Sequence, residues 1–559
     1  MKIISSFTAL LALVLGTGNL SHALEERGDP ASLNARILHS PAAYIPSQCY
    51  TKTRDEQGGV HNPCFSCHTR PRRPNFINDS DLQLGYDFSE VPRTNPWKNL
   101  FKDRRDAAAT ISEEEVLTYI RGSNYLDARG RIVPADRLGK VPAHWDYDGN
   151  GTWEGFVPDA HFVFDAEGFD RDAEGRPTGW RAFGYYPFPG TFWPTNGSTD
   201  DVLIRLPEAF RTGIDGKEDL SVYKTNLAII EAMLQEKDVP IDAVDELALG
   251  GVDLDKDGKI ATATKIAYHW APLTEQYMWY VGKALDEQKA GRVHLAAGLY
   301  PEGTEFLHTV RYIDVDEAGD NLLAPRMKEV RYARKRYWAS YADLQNLALK
   351  EIKEKHDFPD RLRTVRGNIE AGVSNGQGWT YAAMIEDSQG ELRPQTYEEL
   401  VFCVGCHGGI GANRDGIFSF HRKLDSAGAY QKGWYHWSQK SLRGVPEPIR
   451  SDGEPEYAFY LKTNGAGDEF RNNLEVMDKF YHPDGKLKPE MLDRLREDIS
   501  TLLFASKPRA LEMNKAYWMI VRDQSFIEGR DATMVPMRNV HENVKEDERT
   551  GVEASVAGF

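Results

Sequence analysis

The chain has 559 residues, with 68 Lys and Arg against 85 Asp and Glu, giving a formal net charge of −17. That balance opposes nucleic-acid binding by a general electrostatic route, because phosphate contacts call for a basic surface. The length allows large cores in roughly two to four domains, and no later apolar stretch is long enough to span a bilayer.

In chain order, "MKIISSFTALLALVLGTGNLSHA" combines Lys2, an apolar run from Phe7 to Leu15 and a small-x-small end at Ser21-His22-Ala23. This is the pattern of a cleavable export signal over residues 1–23. No cysteine stands at the cleavage point, which argues against a lipid anchor; the expected compartment is the bacterial periplasm. Next, "NPCFSCHTR" reads Cys-x-x-Cys-His, the attachment signature of a c-type haem. On one turn of helix, Cys64 and Cys67 project from nearly the same side and can each form a thioether, while His68 offers a ring nitrogen to the iron as proximal ligand. The segment 24–140 is expected to surround this first haem. Within it, "ISEEEVLTYIRG" predicts a short helix with Ser112 as cap, Glu115 at the third position and Gly122 as stop.

Residues 141–210 turn aromatic, glycine-rich and turn-rich, which predicts short strands and ordered loops. In "DYDGNGTWE", Asp146, Asp148, Asn150, Thr152 and Glu154 stand where the first half of a calcium loop has its ligands, with Gly151 at the turn. "DLDKDGKIA" repeats the pattern with Asp253, Asp255, Asp257 and Gly258. Val157 and Thr264 occupy the twelfth positions, so a calcium ion would need a ligand from elsewhere; the alternative is a tight Asp/Gly turn without an ion. The segment 211–395 is expected to be mainly helical, with amphipathic helices in "SVYKTNLAIIEAMLQ" and in "SYADLQNLALKEIKEKH", the latter capped by Ser340 and Asp343. Between them, "RMKEVRYARKRYW" gathers Arg326, Lys328, Arg331, Arg334, Lys335 and Arg336. It is expected to be a solvated helix face, with an anion-binding or docking surface as the alternative.

The last segment, 396–559, holds the second copy of the motif, "FCVGCHGG", giving Cys403, Cys406 and His407 as its proximal ligand. The stretch from Lys488 to Phe526 is expected to be helical and to pack against this second haem region. Zinc would require two further soft ligands near each Cys pair, and a thiol–disulfide site would need one pair in a βαβ setting; neither condition is met. Distal-ligand candidates for the first iron are Cys49, His61, His144 and His161; for the second they are His421, His436 and Met477. Four of the five cysteines belong to the two motifs, so with both haems attached Cys49 cannot close an intrachain disulfide. It is either a buried, inert thiol or a thiolate ligand to iron.

The two motifs and the export signal resemble exported dihaem c-type cytochromes, and the resemblance is confined to those residues. It implies a mainly α, multi-domain c-type cytochrome with irregular, loop-rich and short β segments. The expected function is that of a periplasmic protein with two covalent haem c groups acting in redox chemistry and electron transfer, one haem being a candidate catalytic site. The alternative is a haem enzyme of the peroxidase or sulfur-compound-oxidising type; a calcium-stabilised structural or docking protein is a weaker one. The expected partner is a redox protein or a small-molecule electron donor or acceptor, with no nucleic acid and no transmembrane segment.

Overall fold

The computed structural model describes residues 38–54, 63–76, 85–190, 197–465, 473–552 and 554–559. The export-signal region and His61 lie outside them. Among the described residues, eleven strands are formed: β1 (Phe169–Arg171), β2 (Pro177–Ala182), β3 (Thr199–Arg205), β4 (Val239–Asp245), β5 (Thr262–Ile266), β6 (Glu305–Val315), β7 (Asn321–Lys335), β8 (Arg366–Asn368), β9 (Gly372–Ser374), β10 (Trp379–Glu386) and β11 (Leu392–Pro394). Nine of these make one sheet in the order β1-β2-β3-β6-β7-β10-β9-β8, with β11 on β10, while β4 and β5 pair separately. Every neighbouring pair is antiparallel.

This mixed α/β architecture overturns the expectation of a mainly α cytochrome. The reason lies in burial. Both faces of the central strands are covered, so they do not show the clean alternation that marks a half-exposed strand. On one face Leu203, Leu307, Val330 and Met384 pack with Tyr125, Trp145, Ala160 and Trp180 from the aromatic segment. On the other, Val202, Phe306, Ala333 and Tyr381 pack with Leu400, Val401 and Val404 of the second motif's helix.

The basic run is likewise corrected: it belongs to β7, not to a solvated helix face. Lys328, Glu329 and Lys335 are buried there. Lys335 Nζ lies 2.7 Å from Asp415 Oδ1 with both side chains enclosed. Three of the expected helices form, two of them with the expected caps. Ser112 accepts from Glu115 N–H ahead of Glu113–Arg121, and Ser340 and Asp343 make a capping box ahead of Tyr341–Asp357. The helix Leu220–Gln235 starts at Asp219 and is buried on nearly all sides rather than amphipathic. The Lys488–Phe526 stretch divides into Pro489–Glu497, Ser500–Leu503 and Lys507–Asp523. No helix among the described residues is long and apolar enough to cross a membrane.

Candidate haem-binding cavity

The second motif is built on the helix Tyr397–Cys406. Thr396 and Glu399 close a capping box at its start, and Glu399 also receives Arg393 at 2.8 Å. His407 follows as its C-cap, with its N–H donating to Cys403 O at 2.9 Å. Its Nδ1 lies 2.7 Å from Gly416 O. A carbonyl can only accept, so Nδ1 carries the proton and Nε2 presents its lone pair. Burial pushes the His407 pKa down to about 4, which keeps the ring neutral near pH 7. A neutral imidazole with its far nitrogen pinned by a backbone carbonyl is what an iron ligand requires.

The pin is itself braced. Asp415 and Gly416 both have left-handed φ, +51° and +73°. The Asp415 carboxylate is held by Lys335 of β7 and by Tyr300 N–H at 3.1 Å. A Cβ on Gly416 would meet Asn375, His407 and Tyr381, so the turn needs glycine for conformation and for space.

The first motif is a single turn, Cys64–Cys67, after Pro63; His68 N–H donates to Cys64 O at 2.8 Å. It leans on the loop that follows the second motif. Ala412 N–H donates to Cys67 O at 3.0 Å, while Asn413 Nδ2 donates to Cys406 O at 2.9 Å. A Cβ on Gly411 would strike the Thr69 carbonyl. Two motifs far apart in sequence therefore meet in space, and Cys67 lines one cavity with Cys403, Cys406 and His407, whereas Cys64 and His68 are not among its lining residues. Its walls are largely aromatic, including Tyr185, Phe188, Phe306, Tyr381, Phe402 and Phe418. None of the five cysteines is in a disulfide, and burial pushes the Cys64 and Cys406 thiols up to about 12. Apolar walls, unbridged Cys pairs and a pinned neutral histidine all fit a porphyrin.

The distal candidates fare differently. Cys49 sits half-buried in the short helix Ser47–Tyr50. The segment leading into that helix packs on the second motif, with the Tyr44 carbonyl and Pro46 against Gly405, and Cys49 itself does not line the cavity. His421 is buried, its Nδ1 has no hydrogen-bond partner among the described residues, and burial drives its pKa well below the usual value. It lines a separate cleft with Ser66, Thr69, Arg70, Arg72 and Arg414, between the first motif and the loop that follows the second. His436 is engaged at both ring nitrogens, by Ser438 and by Asp201. His144 is exposed against Trp145, and His161 donates its N–H to Asp170; their neighbours pack on the sheet face away from the motifs. Met477 lies in Leu474–Phe480 and does not line the cavity.

The calcium-type loops form as Asp/Gly turns: Asp146 accepts the N–H groups of Gly149, Asn150 and Gly151, and Asp253 accepts Gly258 N–H. Each loop also acquires an acid from outside it. Glu370 joins Asp146 and Asp148, and Glu246 joins Asp253 and Asp255, with ligand atoms within 4.8 Å of one another. Glu154 and Asp257 are not part of these carboxylate groups, while Asn150 Oδ1 accepts the Thr152 N–H within the first turn.

Residues that the sequence reading passed over, together with Arg331 of the basic run, form the cavity floor. Asp200 and Val202 of β3, Phe306, His308 and Val310 of β6, Glu329 and Arg331 of β7 and Tyr381 of β10 share one sheet face. The signal was their period-two spacing in "STDDVLIRL" and "TEFLHTVRY".

Comparison with known proteins assigns the relationship. Residues 33–493 match the model of a family described as "-like lipoprotein". A relative from Aquifex aeolicus (strain VF5), "Uncharacterized lipoprotein", is 32% identical over 576 aligned positions, covering 94% of this chain and 91% of the relative. No solved structure matches. These matches overturn membership of the dihaem c-type cytochromes, a resemblance that rested on two pentads and a signal. Lipoproteins are exported proteins, and the chain belongs to this lipoprotein family.

Proposed function

We propose that the chain is a periplasmic redox protein that holds two covalent haems in a shared cavity and moves electrons between them. Cys64, Cys67 and His68 hold the first, and Cys403, Cys406 and His407 hold the second. The observation that carries this reading is the contact between the two motifs, Ala412 N–H to Cys67 O at 3.0 Å, beside an apolar cavity lined by Cys67, Cys403, Cys406 and His407, with His407 neutral and pinned to Gly416. Haems on separate domains would depend on docking to exchange electrons, whereas a common cavity makes the exchange direct. When bound, the two groups supply one-electron chemistry; the chain supplies axial ligands, apolar walls and the charges that tune potential. His421 is the distal candidate that the arrangement favours for the first iron, since its orphaned ring opens on the cleft beside Thr69.

A second reading, a haem enzyme with an open second iron, is favoured by the polar floor of the cavity at Asp200, His308 and Arg331. Mass spectrometry of the denatured protein from the periplasm tests the main reading: the expected mass is that of the chain plus two haems. A chain without haem refutes it.

A further inference from the structure

The separate cleft beside the first motif has a lining rich in arginine. Arg70 and Arg72 stand exposed along it, while Arg414, Arg422 and His421 are buried in its wall. Two ion pairs involve the buried arginines. Arg422 grips Glu456 at 2.8 Å, and both line the cleft, so that pair adds no net charge. Arg414 reaches Glu236 at 3.4 Å, a carboxylate from outside the lining. Among the described residues, Arg70 and Arg72 pair with no carboxylate. Phe559 shares the lining and lays its ring, not a carboxylate, on the Arg422 guanidinium at 4.8 Å. The concavity therefore keeps an excess of positive charge in a chain whose formal net charge is −17.

That arrangement is unfavourable while the cleft is empty. Like charges gathered around a concave, poorly solvated space oppose one another, and walls of one sign focus their field on what they enclose. The buried members feel the effect. Burial pushes the His421 pKa well down, and Arg414, Arg422 and Arg72 push it further. Burial also lowers that of Arg414; Glu236 opposes the shift and Arg72 adds to it. An anion held among these groups relieves the repulsion at both. Guanidinium forks match the oxygen pairs of an oxyanion, to which they donate two parallel hydrogen bonds. Ser66 lines the same cleft and offers a hydroxyl donor.

We propose that this cleft is a binding site for a small inorganic oxyanion of the sulfate or phosphate type. Arg70 and Arg72 donate to its oxygens. Arg414 supplies a fixed positive charge from the wall and keeps its own bond, Nη1 donating to Arg73 O at 3.0 Å. Both direct donors are exposed arginines without a carboxylate, so binding displaces no existing pair. Ser66 stands inside the first motif, and Thr69 and Arg70 directly follow it. On the haem reading the anion therefore sits beside the first haem, but the inference rests on the cleft and not on that reading.

Calorimetric titration of the purified protein with sodium sulfate tests this, with chloride holding the ionic strength constant so that general screening does not enter. One saturable site is expected. Arg70→Gln and Arg72→Gln should each weaken it about tenfold, the contribution of roughly one hydrogen bond to a charged group, and the two together should abolish it. Arg129→Gln, at an exposed arginine outside the cleft, should leave it unchanged. Absence of saturable binding, or equal affinity in the parent and the paired Arg70 and Arg72 variant, refutes the site. Haem carboxylates carry the same kind of charge, so the titration is repeated with Cys64→Ala and Cys67→Ala combined. Sulfate binding confined to that protein assigns the arginines to haem and refutes a free-anion site; binding in both supports it. Haem content is read separately by mass spectrometry, so a chain without haem refutes the redox reading and leaves the anion result standing.

Discussion

The two Cys-x-x-Cys-His motifs share a pattern and differ in everything that supports it. The first is a single turn whose residues are only partly buried, held by neighbouring loops and by Phe65 packing on Phe459 of the helix Glu456–Asn464. The second ends a ten-residue helix with a capping box, rests on the central sheet, and has its histidine braced through Gly416 and Asp415 to Lys335 on β7. Spacing alone fixes which atoms can reach a haem. The surrounding structure decides how rigidly they are held, and by that measure the second site is pre-organised and the first depends on it.

The largest effect expected from this asymmetry concerns haem content. On the haem reading, removing Cys403 and Cys406 together should delete the second haem and also loosen the first, because Ala412 and Asn413 tie the motifs together. Removing Cys64 and Cys67 should cost the first haem only. Equal, independent losses by mass spectrometry would make the two sites autonomous. Next comes Lys335→Met, which strands the Asp415 carboxylate in the core and should destabilise the fold by about 3–5 kcal/mol. On the haem reading, denaturant unfolding should show that loss, with the spectrum of the second haem altered and the first preserved; adding Asp415→Asn, which removes the charge, keeps an acceptor for Tyr300 N–H and tolerates the left-handed φ, should restore much of the stability.

A smaller effect is expected in acid. Burial alone would raise the Glu329 carboxyl, but Arg331 and Arg530 hold it down to about 2, against an ordinary value of 4.5. A lowered folded-state pKa means that the unfolded chain binds the proton first. The stabilisation from Glu329 is therefore complete above pH 4.5 and is lost as pH falls towards 2. Melting curves of Glu329→Gln should show a shallower loss over that window than those of the parent. Smallest of all should be the response to a calcium chelator. If Glu370 and Glu246 complete the two Asp/Gly loops, the melting temperature should fall while both haem spectra stay constant; an unchanged melting temperature would make both loops plain turns.

What could be read from the sequence was local. Ser112, Ser340 and the two pentads announce themselves within a few residues, and the structure has helices with those caps at those places. The sheet was hidden because β7 carries Arg326, Lys328, Arg331, Arg334 and Lys335, charges that ordinarily mark a solvated surface. Here Lys335 and Arg331 are neutralised by Asp415 and Glu329, and Asp415 lies far along the chain. His308 was missed for a related reason: its significance comes from Asp200 and Arg331 on adjacent strands, pairings that exist only once the sheet has formed. Glu370 and Glu246, too, reach their loops from outside the quoted stretches.

The close approach of Gly411 to Thr69 bears on how such a protein is made. In the finished fold Cys403 is only 8% exposed and the segment after it is wedged against the first motif, so an attachment enzyme could not reach both thiol pairs there. On the haem reading, cofactor loading is a step of biogenesis that must come before closure. Residues 64–68 emerge from export long before residues 403–407 and must wait, loaded but unpartnered, until the far end of the chain arrives.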